Sequence, residues 1–341
     1  FIHTLISGIG RKRNNYLVIK HYNRFDIPSE DIEQIRNQYP DIDVFYHSFY
    51  EKEMPDAYEP FLSLIKELYQ QNREMPIEQF LEECGVYSQQ WELFRSYMTE
   101  GICRRKEEIL LSEVTYEQKR MIDSLINAMI YCSRKRPFLL VLNGFHLAGG
   151  ATVYLMKQLL HYEDTENFCV LLAYNSLHTV PTHIAQIWNE YIEVLEENGC
   201  IINGEMMMNP GETEEEAAVF HFESAHITQY LKYLHNMYET LDLEQAKYYL
   251  KIIYHKLEME NLYLKETDKF QVLELYARVC ILSDDIPNAL MVCENLQSVE
   301  WQKEQQEGQY LYYYLLGVTQ MYSGNLKEAI SCAKKCDAIA Q

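Results

Sequence analysis

The chain has 341 residues, 48% of them hydrophobic, which suffices for two folded domains and excludes a largely disordered polypeptide. Its formal charge is −21, and residues 151–250 carry 3 Lys or Arg against 16 Asp or Glu, a balance that repels phosphate backbones and speaks against nucleic acid as a partner of this chain. Nine cysteines without a CxxC pair read as free thiols of a reducing compartment, and no apolar run nears the ~18 residues of a membrane span, so a cytoplasmic protein is expected.

In chain order, the opening FIHTLISGI has apolar residues at helical spacing and no initiator Met, so the chain is expected to begin in mid-domain. YLVIK (16–20) predicts a strand, the polar stretch from His21 to Pro40 no element, and DVFYHSF (43–49) a second strand. Amphipathic helices are expected from Pro60, near 76–84, over 88–100 and over 114–133. The basic triplets Arg11-Lys12-Arg13, Arg104-Arg105-Lys106 and Arg134-Lys135-Arg136 are read as solvated charge at element ends.

The most informative stretch is FLLVLNGFHLAGGAT (138–152). Its apolar run, broken at Asn143-Gly144 and followed by a helix to about His161, reads as a buried parallel strand; FCVLLAY (168–174) is a second of the same kind. Strand, helix and strand within about 37 residues form a βαβ unit with a right-handed crossover. A helix from Pro181 to about Asn198 and a short strand at Cys200–Ile202 complete the α/β part. The aperiodic MMMNPGETEEE (206–216) marks the boundary, giving domains 1–210 and 211–341.

Beyond it only helices are expected, and they repeat. Tyr276-Ala277 followed by DDIPNAL (284–290) matches Leu316-Gly317 followed by GNLKEAI (324–330) at an offset of 40, and LDLEQA (241–246) is an earlier copy, 43 before Ala289. Small residues in both helices of a hairpin, Ala277 with Ala289 and Gly317 with Ala329, allow close approach of the axes. This pattern, over roughly 223–341, resembles the tetratricopeptide repeat. The resemblance implies an all-α solenoid whose surface takes a protein or peptide, with self-association as an alternative.

The 138–160 segment resembles the second core strand of STAND-type regulatory ATPases, which are P-loop, AAA+-like α/β proteins. There the strand ends in two acidic residues, which hold Mg²⁺ and polarise the attacking water, then an apolar residue, His and a helix. In this chain the acidic positions carry Asn143 and Gly144, while His146 is kept. DAYEPFLSLIKELY (56–69) looks like a further helix of that family. FCVLLAYNS looks like its next core strand, which ends here at Asn175 where relatives carry a basic residue.

The resemblance implies an α/β P-loop NTPase-like domain with a parallel sheet, and places a degenerate nucleotide pocket at Asn143, Gly144, His146 and Asn175. ATP or ADP with Mg²⁺ is implied as the cofactor of the full-length protein; none is assigned to this chain. No GxxxxGK[ST] occurs, so hydrolysis by this chain is not expected. If FIHTLISGI is the helix after the phosphate loop, the loop and its central strand precede Phe1, and the domain is truncated. Gly144 to Thr152 is a rival place for a decayed loop.

Two functions follow. One is part of a multidomain signalling regulator, in which the two domains control a transcriptional or nucleotide-cyclase output domain not present here. The other is a non-catalytic interaction scaffold, a pseudo-ATPase with a repeat array. His178 and His183 lack the flanking Cys or carboxylate a metal site needs; Cys332 and Cys336, on one helix face, are read as core cysteines of the last repeat's packing face, and the 28 tyrosines mainly as packing rings.

Overall fold

Nothing polar interrupts Phe138–Leu142, and all six residues through Asn143 are buried, which demands cover on both faces of a sheet. The computed structural model supplies it, describing residues 5–6, 9, 16–21, 27–50, 54–71, 74–162, 165–177, 180–198, 200–203, 220, 222–259, 264–299 and 305–341. Of the expected first helix only Leu5 and Ile6 are described as helical. The Arg11-Lys12-Arg13 triplet, His178 and the boundary segment 206–216 lie outside the described residues. The chain divides into two compact units, 1–105 with 119–220, and 106–118 with 221–341.

The first unit runs β1 (Tyr16–His21), α1 (Ser29–Gln38), β2 (Asp43–Ser48), α2 (Phe61–Gln71), α3 (Ile77–Glu83), α4 (Trp91–Glu100), α5 (Val114–Lys135), β3 (Phe138–Asn143), α6 (Gly150–Leu159), β4 (Phe168–Asn175), α7 (Ala185–Glu197) and β5 (Ile201–Asn203). The first five residues of α5 count with the second unit. The strands form one sheet in the order β2-β3-β4-β1-β5, and every pairing is parallel.

This order corrects one expectation. The central strand is expected before Phe1, whereas Tyr16–His21 is itself an interior strand, paired on both sides with β4 and β5. The stretch joining β1 to the next helix is therefore 22–28, of which 22–26 lie outside the described residues. A second correction concerns the polar stretch after His21, which contains α1. Its burial rests on Ile32 and Ile35, one turn apart, which join Val44, Val141, Leu171 and Ala173 in one cluster. The helix opens after Pro28 with Glu30 and Asp31 in its first turn, where the fixed φ of proline and negative charge both favour a helix start.

Alternation divides β3 between two layers. Leu139 and Val141 face the α1 cluster, while Phe138 stacks on Phe168 of β4 at 5.1 Å between ring centroids. Phe145, just past β3, meets Trp188 and Tyr191 of α7. Each fully buried ring contributes about 2–3 kcal/mol.

The second unit is built of hairpins. Its helices are α8 (Ile227–Glu239), α9 (Leu243–Met259), α10 (Glu266–Leu282), α11 (Ile286–Ser298), α12 (Gln306–Tyr322) and α13 (Leu326–Ala340). Three turns, after α8, α10 and α12, share one backbone recipe. Leu241, Asp284 and Gly324 have φ of 63°, 56° and 81°. The following N–H of Asp242, Asp285 and Asn325 donates back to the carbonyls of Met237, Cys280 and Gln320. That is the helix-terminating six-to-one bond, with its left-handed residue at the bend. The carbonyls of Asp242, Asp285 and Asn325 then accept from Ala246, Ala289 and Ala329.

The repeat offsets read from the sequence are thus offsets of hydrogen-bonded geometry. At Gly317 a Cβ would lie 3.1 Å from the Cβ of Cys332 on α13, so glycine sets the spacing of that hairpin.

Candidate functional site

In an open parallel sheet the crevice for a ligand lies at the carboxyl ends of neighbouring strands whose connections leave in opposite directions. Here the chain leaves β1 toward the β2 edge and leaves β4 across β1 to β5, so the crevice belongs to the ends of β1 and β4, beside the end of β3. All four residues singled out in the sequence sit at these ends, and each is held by the chain's own groups.

Asn143 closes β3 and is fully buried. Its carboxamide oxygen accepts from the Ile27 backbone N–H at 3.5 Å, and its nitrogen donates to Ser48 Oγ at 3.1 Å. The side chain therefore ties the stretch before α1 to the ends of β3 and β2. Tyr46 reinforces the tie, its hydroxyl donating to the Ile27 carbonyl at 3.4 Å. Gly144 has φ of 64°, and a Cβ there would lie 2.7 Å from the Phe49 carbonyl oxygen. No acidic residue can take this backbone without moving the segment after β2.

His146 lies in a short 3₁₀ turn over 145–147 and is buried. Its Nδ1 accepts the Asn175 backbone N–H at 3.2 Å, which requires a free lone pair at that nitrogen. The Asn175 side-chain oxygen accepts from Leu177 N at 2.9 Å, fixing the turn after β4. Ser176 bridges the crevice itself: its N–H and Oγ both donate to the His21 carbonyl of β1, at 2.9 and 3.1 Å. The structure thus brings His146 and Asn175 into contact and gives Asn143 partners of its own.

A cavity of about 260 Å³ opens beside these strand ends, lined among others by Lys20, Asn175, Ser176, Trp188, Glu193 and Glu196. It falls below the roughly 300–1,000 Å³ of small-molecule pockets, and it sets two carboxylates against one lysine. Gly144 to Thr152, the rival place for a phosphate loop, is likewise engaged. A Cβ at Gly150 would meet the Ile184 side chain at 2.9 Å, and the Thr152 hydroxyl donates to the Glu59 carbonyl at 2.9 Å.

Mg²⁺–nucleotide chemistry needs carboxylates for the metal shell and a lysine with free N–H groups for the phosphates. Among the described residues, the donor set at these strand ends does not fit it. The stretch from Tyr22 to Pro28 holds neither glycine nor lysine, β3 ends in a neutral amide already bonded on both sides, and the next residue is restricted to glycine. Among the described residues no group of three His, Cys, Asp or Glu is placed to hold a metal ion, and no helix is long and apolar enough to cross a membrane.

The partners Ile27, Ser48 and Ser176 are not legible in the sequence, because each bond joins segments distant in the chain. Comparison with protein-family models, with curated proteins and with solved structures finds no match to this chain.

Proposed function

We propose that this chain is a non-catalytic interaction module, an α/β platform of pseudo-ATPase type joined to a helical repeat array that takes a protein or peptide. The observation that carries the reading is Asn143. A fully buried carboxamide bonded at once to Ile27 and Ser48 is a structural strut at the position where nucleotide chemistry needs a carboxylate facing water and metal. Opening it leaves a buried donor and a buried acceptor unsatisfied, at about 1–3 kcal/mol each. The wider reading places this pair of units inside a multidomain signalling regulator. What favours it is the order of a parallel sheet with a switch point followed by a repeat array; the output domain then belongs to another part of the protein.

The test is calorimetric titration of the chain with ATP and with ADP, each with Mg²⁺, to millimolar nucleotide, on wild type and Asn143→Asp. No saturable heat is expected from either. The aspartate variant is expected to lose about 2–4 kcal/mol of stability, because it buries a charge and removes the amide donor to Ser48. Saturable binding by wild type, or tighter binding by the variant, would overturn the scaffold reading.

A further inference from the structure

The segment Lys106–Gln118 belongs to the second unit. It precedes and opens α5, yet it lies on the array. Glu108 gives one carboxylate oxygen to Arg278 Nη1 at 3.1 Å and the other to the Tyr314 hydroxyl. The Leu111 N–H donates to the Tyr322 hydroxyl at 3.4 Å. Ile109 and Val114 pack with Leu241, Leu243, Leu282 and Tyr238. Tyr238, Arg278, and Tyr314 with Tyr322 belong to α8, α10 and α12, the first helices of the three hairpins. One short stretch of chain thus touches the first helix of every hairpin.

Arg278 is the only arginine of residues 221–341. It is planted in α10 with its side chain 17% exposed, and Glu274, four residues earlier on the same helix, holds Nε at 2.9 Å. Tyr314 lies under the guanidinium at 5.9 Å. Glu274 and Tyr314 thereby fix the fork, and its remaining N–H groups are oriented to take a second carboxylate. Burial, and next the Glu108 carboxylate, push the Tyr314 hydroxyl above its ordinary range, so it stays a proton donor.

The segment is lightly held by comparison. Lys106, Glu107, Glu108 and Leu110 are exposed, and the Glu108 side chain is 58% exposed. The receptor side chains Tyr238, Arg278, Tyr314 and Tyr322 are half-buried on packed helices, whereas the occupant is an irregular, largely exposed segment with two anchors, a carboxylate and the aliphatic residue after it.

We propose that the face formed by α8, α10 and α12 is a peptide-binding surface, occupied in cis by residues 106–113, and that its trans partner is a protein segment presenting an acidic residue followed by a branched aliphatic one. The cis segment covers the face at the millimolar effective concentration of a short tether, so only a partner that exceeds this displaces it. The inference rests on the array being an interaction surface, as proposed above, and adds the chemistry of what it takes.

The experiment is fluorescence anisotropy with a labelled synthetic peptide of residues 104–113 and the full chain. The Glu108→Ala/Ile109→Ala variant, with its own anchors removed, is expected to bind the peptide at least tenfold more tightly than wild type. Adding Arg278→Gln, or Tyr314→Phe where the arginine variant melts early, is expected to weaken that binding by tenfold or more; a Glu108→Gln peptide should lose as much. Equal binding by wild type and the opened variant, or binding indifferent to both Tyr314→Phe and the peptide's glutamate, would overturn the proposal. Nucleotide titration reads none of these, so failure here is distinct from failure of the scaffold reading.

Discussion

Gly144 in the first unit and the bends at Leu241, Asp284 and Gly324 in the second all hold backbone in the left-handed region, but for different reasons. At Gly144 the constraint comes from a segment far away in the sequence: the Phe49 carbonyl sits where a Cβ would go, and the Phe49 N–H is in turn bonded to the Asn143 carbonyl at 3.0 Å. In the array the constraint is local, a six-to-one hydrogen bond closing each helix. A local bond fixes the conformation and leaves the residue type open, so leucine, aspartate and glycine all serve. A distant neighbour fixes the residue type as well.

The sharpest way to break this contrast is Gly144→Ala. A left-handed alanine costs about 1–2 kcal/mol, and forcing its Cβ against backbone adds about 1–3 kcal/mol. A loss of about 2–5 kcal/mol is therefore expected in denaturant unfolding of the first unit. A loss below 1 kcal/mol would mean that the segment after β2 yields, and that glycine there is a matter of chance.

How much could be read beforehand follows the same division. The strands over 138–142 and 168–174 were legible because buried parallel strands are continuous apolar runs; those over 16–20 and 43–49 are only part-buried and were legible from shorter apolar stretches. The hairpins were legible because identical local chemistry at Ala246, Ala289 and Ala329 recurs at the similar offsets of 43 and 40. Helix α1 was not, since two isoleucines in a charged stretch leave little periodic signal. Nor was the docking of 106–118 on the array, which depends on Glu108 meeting Arg278 across 170 residues. The residues Asn143, Gly144, His146 and Asn175 could be picked out by position, but their bonding partners could not. A pattern of residue types carries no record of which distant carbonyl or amide lies opposite.

A second test compares two turns within the array. Asp242 and Asp285 occupy equivalent positions, and Asn325 fills the third. Burial pushes the Asp242 carboxyl up to about 7, against the opposing hydrogen bond of the Gln245 backbone. Asp285 is held below the ordinary range, because Lys247 and Asn288 outweigh its partial burial; Lys247 Nζ lies 2.6 Å from its carboxylate. An unfolded aspartate titrates near 3.9, so between about pH 4 and pH 7 the folded state holds the extra proton at Asp242. Its contribution is then fully present below about pH 4 and is lost as pH rises through 7. Asp242→Asn should raise stability by up to about 4 kcal/mol at pH 8 and change little at pH 4. Melting curves at the two pH values check this, and an equal effect at both would show that the carboxyl is not the group responsible.

The smallest effect separates conformation from side chain at the bends. Asp284 is exposed with φ of 56°, so glycine there relieves left-handed strain and removes no packing. Asp284→Gly is expected to gain about 0.5 kcal/mol, the relief being partly offset by the greater freedom of glycine in the unfolded chain. Leu241 has nearly the same φ but is 2% exposed and packs with Val114, Leu243 and Leu282. There the same change to glycine removes a buried side chain and should cost about 2–4 kcal/mol. Opposite signs in the two melts would show that the bend itself is set by the local hydrogen bond, and that each copy spends the side chain at that position on its own surroundings. Matching signs would mean that the three turns are alike only in outline.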